Sequence, residues 1–117
     1  MTRRRYDNHS TEFGLWLRQQ PDLDSRLGFI ATNVDYVWCN YKTGRWMLIE
    51  EKRFKARMNK PQEVLFSKLA AVGQNDPLFM GAHLLRFERT SPDDGRMMWN
   101  NGLITVEQLK ALLRLGE

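Results

Sequence analysis

Apolar residues along the chain change period several times, and each change marks an element. Phe13, Trp16 and Leu17 recur at helical spacing; Ser10 or Thr11 offers an N-cap and Pro21 a stop. A first helix is therefore expected from Ser10 or Thr11 to Gln20, with Gly14 its weak position. From Leu27 to Asn40 the pattern becomes β-branched and aromatic (GFIATNVDYVWCN) and predicts a strand. YKTG reads as a turn and RWMLIEEKRF as the returning strand. After ARMNK, Pro61 suits the start of a second helix, with Asn59 or Lys60 before it. Leu65, Leu69 and Val72 predict its buried stripe, and Gly73 its C-terminal end.

A third strand is expected over about residues 78–88, followed by the turn SPDDG, the short strand RMMW, the turn NNG and then LIT. Thr105 opens a last helix through a capping box with Gln108. Ile104 is expected to staple onto Leu109, and Leu109, Leu112 and Leu113 to form the buried face. The order α-β-β-α-β-β-α predicts an α/β domain, a central mixed β-sheet with flanking helices, over residues 1–117. Residues 1–9 are expected to form a flexible basic arm.

The hairpin carries the chemistry. If Asn40 and Arg45 close a loop from Tyr41 to Gly44, Asp35 stands opposite Glu50 on the neighbouring strand. Directly opposed residues share a face, with Cβ atoms roughly 4.5–5.5 Å apart. Alternation adds Leu48 and Lys52 to that face and sends Ile49 and Glu51 to the other. Two facing carboxylates repel, and the apolar run before Glu50 raises the cost by partial burial. A divalent cation such as Mg²⁺ or Mn²⁺ offsets it, because carboxylates are hard oxygen ligands. Lys52 is then placed to meet a phosphate oxygen or an attacking water, which is the chemistry of phosphodiester hydrolysis. A salt bridge between Glu50 and Lys52 on an ordinary surface is the plainer alternative. An acid-x-Lys tripeptide arises by chance about once in a chain this size, so the weight falls on the pairing.

Charge adds a partner. The net charge is +4. Residues 1–60 hold 12 Lys+Arg against 7 Asp+Glu, whereas residues 61–117 hold 6 against 7. Arg3, Arg4 and Arg5 and the run Arg53, Lys55, Arg57 and Lys60 therefore suit DNA phosphates. Two histidines and one cysteine are too few for a zinc or histidine-based site. His83 alternates with Leu85 and Phe87 and reads as a core or half-buried residue, and Cys39 as a packed thiol. Asp93-Asp94-Gly95 reads as a turn rather than a calcium loop. No apolar run approaches about 18 residues, and no apolar run follows the first arginines. Neither a signal peptide nor a membrane span is expected, and a lone thiol suits the reducing cytoplasm.

In this arrangement the chain resembles the PD-(D/E)XK nuclease superfamily, a restriction-endonuclease-like core of helix, hairpin, crossing helix and further strand. Val34-Asp35 stands where the family has Pro-Asp, Glu50-Glu51-Lys52 stands for (D/E)xK, and residues 61 to 73 for the crossing helix. The resemblance implies metal binding by Asp35, Glu50 and the backbone carbonyl of Glu51, with Lys52 catalytic. Branches that include small Holliday-junction resolvases carry a metal-reaching Glu on the first helix, the place of Glu12. Others carry Q-x-x-x-Y on the crossing helix; here Gln62 is followed by Phe66, which lacks the hydroxyl. The function implied is a metal-dependent DNA endonuclease, cytoplasmic, structure-selective because no length remains for a recognition domain, with a homodimer supplying two sites. The other reading is a non-catalytic nucleic-acid-binding or protein-interaction module on the same fold.

Overall fold

The computed structural model describes residues 12–29, 31 and 34–116, and the chain divides into two compact units, Met1–Ala31 and Thr32–Glu117. In the first unit, α1 (Glu12–Arg18) is followed by two 3₁₀ turns, Pro21–Leu23 and Ser25–Leu27. The N-cap expected at Ser10 or Thr11 lies outside the described residues. α1 ends early because Gln19 and Gln20 N–H groups donate to the carbonyls of Trp16 and Leu17, tightening the last turn ahead of Pro21. The strand expected from Leu27 starts later. Asp24 accepts the Arg26 N–H at 2.8 Å and caps the second turn, and Gly28 at φ +99° closes it.

The second unit is an α/β layer built on one open mixed sheet of five strands, in sequence order β1 to β5. These are β1 (Tyr36–Cys39), β2 (Trp46–Arg53), β3 (Phe79–Phe87), β4 (Met97–Trp99) and β5 (Gly102–Ile104). β2 and β3 are parallel, joined through α2 (Lys60–Gly73), and the other pairs are antiparallel. α3 (Val106–Leu113) follows β5. The expected order lacked one strand: LIT pairs with RMMW as β5 because Asn100 and Asn101, at φ 51° and 75°, make a two-residue hairpin turn.

β2 explains the architecture. Met47, Leu48, Ile49 and Glu50 are consecutive and all buried, as expected of a central strand covered on both faces. Met47 and Ile49 join Leu85, Phe87, Met97, Leu109 and Leu115 in the main core. Leu48 and Glu50 face the other way, towards α2. On that side Trp46 packs on Phe79 at 4.5 Å and donates from Nε1 to Asp76 at 2.9 Å. Gly73 is buried there; a Cβ on it would lie 2.7 Å from the Phe79 ring, so close packing rather than helix ending selects it.

Both capping boxes form, Asn59 with Gln62 and Thr105 with Gln108. The helix stripes are narrower than expected. Val72 is 63% exposed, and Leu69 and Leu112 are also exposed. Leu115 completes the core beyond α3 in Leu112's place, at φ 57°, its carbonyl accepting from Arg45 Nη1 at 3.0 Å. Cys39 is exposed rather than packed, since β1 is an edge strand and all four of its residues are solvent-facing. His83 is half-buried, as read from the sequence, stacked on Trp99 at 4.7 Å and accepting at Nδ1 from the Asn100 amide. Among the described residues, no helix is long and apolar enough to cross a membrane.

Candidate functional site

The hairpin loop determines which side chains meet. Asn40 N–H donates to the Arg45 carbonyl at 2.9 Å, and Gly44 N–H returns to the Asn40 carbonyl at 2.8 Å. The Asn40 side chain accepts the Lys42 N–H, and Gly44 takes φ +82°, so Tyr41 to Gly44 form the expected loop. Tyr36 then pairs with Ile49, and Val37 with Leu48. Asp35, the next residue outward, reaches Glu50.

The two acids are cross-tied. Asp35 N–H donates to Glu50 Oε1 at 2.9 Å, and Glu51 N–H donates to Asp35 Oδ2 at 2.8 Å. Each carboxylate thus accepts a backbone donor from the opposite side of the hairpin, which holds both in place without a cation. Asp35 Oδ1 and Glu50 Oε2 make no hydrogen bond among the described residues. In a strand, the N–H and C=O of one residue point the same way. The Glu51 carbonyl therefore points to the edge where Asp35 sits.

Glu50 is 6% exposed. Burial pushes its carboxyl above the usual glutamate range, opposed by the Asp35 N–H, reinforced by the Asp35 charge and opposed by Lys52. It faces a cavity of about 10 Å³, shared with Gln62 and otherwise walled by Val34, Met58, Leu65, Phe66 and Leu69. That is room for about one water. Gln62 comes to this pocket because the capping box fixes it: its Oε1 accepts the Asn59 N–H at 3.2 Å, leaving its NH₂ group as the free end.

Lys52 lies one pleat beyond Glu50 on the same face and is half-buried. It makes no ion pair with Glu50 or any other acid among the described residues, although its charge acts on the Glu50 carboxyl. Glu51 turns its side chain to the other face, where Tyr36 donates its hydroxyl at 3.4 Å and is itself pushed up by the Glu51 charge. Arg53, Lys55, Arg57 and Lys60 are all exposed and unpaired among the described residues, in and around the connection from β2 to α2.

Other residues expected at the site belong to the first unit or lie outside the described residues. Glu12 is exposed in the first turn of α1, in the first unit. Arg3, Arg4 and Arg5 lie outside the described residues. Among the described residues, no three His, Cys, Asp or Glu side chains gather as a metal site, so the acids that meet number two. Arg86 is the residue that sequence reading missed. It stands beside Lys52 through the register of β3, which only the crossover sets. Comparison with family models, curated proteins and solved structures finds no match.

Proposed function

We propose that this protein is a Mg²⁺- or Mn²⁺-dependent DNA endonuclease on a restriction-endonuclease-like core, acting on junctions, flaps or nicks. The observation that carries this reading is the meeting of Asp35 and Glu50 at the open end of the hairpin, with Lys52 next on the same face. The donors fit a hard cation. Each carboxylate keeps one oxygen without a hydrogen bond among the described residues, and Mg²⁺ commonly takes one or two carboxylates plus water and phosphate oxygens.

Such a cation supplies polarisation of the phosphate and acidification of a water. The chain's own residues supply the rest. Asp35, Glu50 and the Glu51 carbonyl hold the ion. The Lys52 ammonium, unpaired by any acid among the described residues, offsets charge developing on the phosphate. Gln62 presents its free NH₂ group to the same pocket as Glu50 and orients a group there. Arg53, Lys55, Arg57 and Lys60 take backbone phosphates, which position a duplex without reading its bases. Recognition through the backbone alone favours structure over sequence as the determinant of cleavage. A homodimer would present two such sites to two strands.

Incubation with branched, nicked, single-stranded and duplex DNA in Mg²⁺ or Mn²⁺ tests the reading. Cleavage is expected, falling about 10²–10³-fold in Lys52→Ala while DNA affinity falls little. Absence of metal-dependent cleavage on every substrate, or full activity in Asp35→Asn, would contradict it. The exposed basic run also favours a second reading, a binding module that does not cut. Steeply salt-dependent DNA binding by a wild type that never cleaves would select it.

A further inference from the structure

β2 and β3 run parallel, so residues paired in their register project to the same face of the sheet. The pair Lys52 and Arg86 therefore sets two cations side by side, one pleat beyond Glu50. Leu85 and Phe87, on either side of Arg86, are buried in the core on the opposite face, which fixes the side Arg86 takes. Like charges directly opposed across a sheet repel. Neither cation has a carboxylate partner among the described residues.

The guanidinium is held but not satisfied. Arg86 is half-buried, and its Nη1 donates to the Phe54 carbonyl at 2.9 Å, which fixes the plane of the fork. Its Nε is shielded from solvent and unpartnered. Its Nη2 also has no partner among the described residues, yet it is not shielded. One nitrogen is therefore free and not shielded, on a cation paired in the sheet register with another cation. The pair lies towards the carboxyl ends of two parallel strands, where open α/β sheets bind ligands.

We propose that Arg86 binds a phosphate oxygen of the nucleic-acid backbone through Nη2, beside Lys52. The assignment rests on the nuclease reading of Asp35, Glu50 and Lys52. An anion there offsets both charges at once. The exposed run from Arg53 to Lys60 then extends the contact along the backbone, whereas Arg86 and Lys52 hold the phosphate nearest the carboxylates.

The test is binding of a labelled DNA duplex across a KCl series in chelator, with cleavage in Mg²⁺ measured in parallel. Arg86→Ala should weaken binding roughly tenfold and reduce the salt slope by about one. Arg86→Lys should retain most of the slope but not the full affinity. Melting temperatures separate a structural role. A lowered melting point with unchanged slope in a folded Arg86→Ala overturns the assignment, because it assigns Arg86 only to the Phe54 carbonyl. If Arg86→Ala does not fold, Arg86→Lys with wild-type affinity overturns it too. Wild-type cleavage alongside an unchanged Arg86→Ala slope removes Arg86 and leaves the nuclease reading standing. Wild-type binding without cleavage, with the slope reduced in Arg86→Ala, removes the nuclease reading and keeps Arg86. Absence of DNA binding by the wild type overturns both.

Discussion

At Glu50, a charge is placed where four consecutive side chains of a central strand are buried. Burial holds its proton above the ordinary glutamate value of about 4.3. Over the interval between that value and the folded one, the folded chain keeps a proton that the unfolded chain has lost. Stability falls as pH rises through this interval, and the lost part stays missing at neutral pH. Glu50→Gln keeps an acceptor for the Asp35 N–H and removes the charge. In chelator it should melt above wild type near neutral pH, with the advantage shrinking as pH falls towards about 4. An advantage independent of pH, or none at any pH, would show that burial of this carboxylate carries no such cost. The residue was legible beforehand: a turn ending in glycine set the register, and the register set Asp35 against Glu50. Cys39 was not legible, because apolar neighbours do not reveal that β1 has no second neighbouring strand among the described residues.

At the level of elements, local signals were readable wherever the chain fixes its own geometry. The Asn59–Gln62 and Thr105–Gln108 boxes and the Tyr41 to Gly44 loop all follow from short-range chemistry. The strand expected from Leu27 failed for a local reason of the same kind, since Asp24 and Gly28 close a turn that β-propensity alone does not show. Arg86 was hidden for a different reason. Its place beside Lys52 depends on a parallel register set by the crossover, and β3 carries an extra residue at Gly81, φ +100°, between the Trp46 and Leu48 pairs. The α2 cap joins element to site, because Asn59 holds the carbonyl end of Gln62. Asn59→Ala should cost about 1 kcal/mol in urea unfolding, and Asn59→Ser much less. Equal losses in both variants would indicate that the cap contributes nothing beyond the Asn59 side chain's own packing.

On the scale of the whole molecule, Asp35, Glu50, Lys52, Gln62 and Arg86 all belong to the unit Thr32–Glu117. One sheet, crossed by one helix, brings them together from three elements, β2, α2 and β3, and the residue before β1. The net charge of +4, concentrated in the first half of the chain, suits a polyanion but selects no chemistry. What selects it is whether the two carboxylates act as a cation site. Thermal unfolding with and without Mn²⁺, on wild type and on Asp35→Asn, addresses this independently of any substrate. A ligand that binds only the folded state raises its stability by mass action. Wild type should melt higher as Mn²⁺ is added, and Asp35→Asn should not move. An equal shift in both proteins, or none in the wild type, would contradict the account.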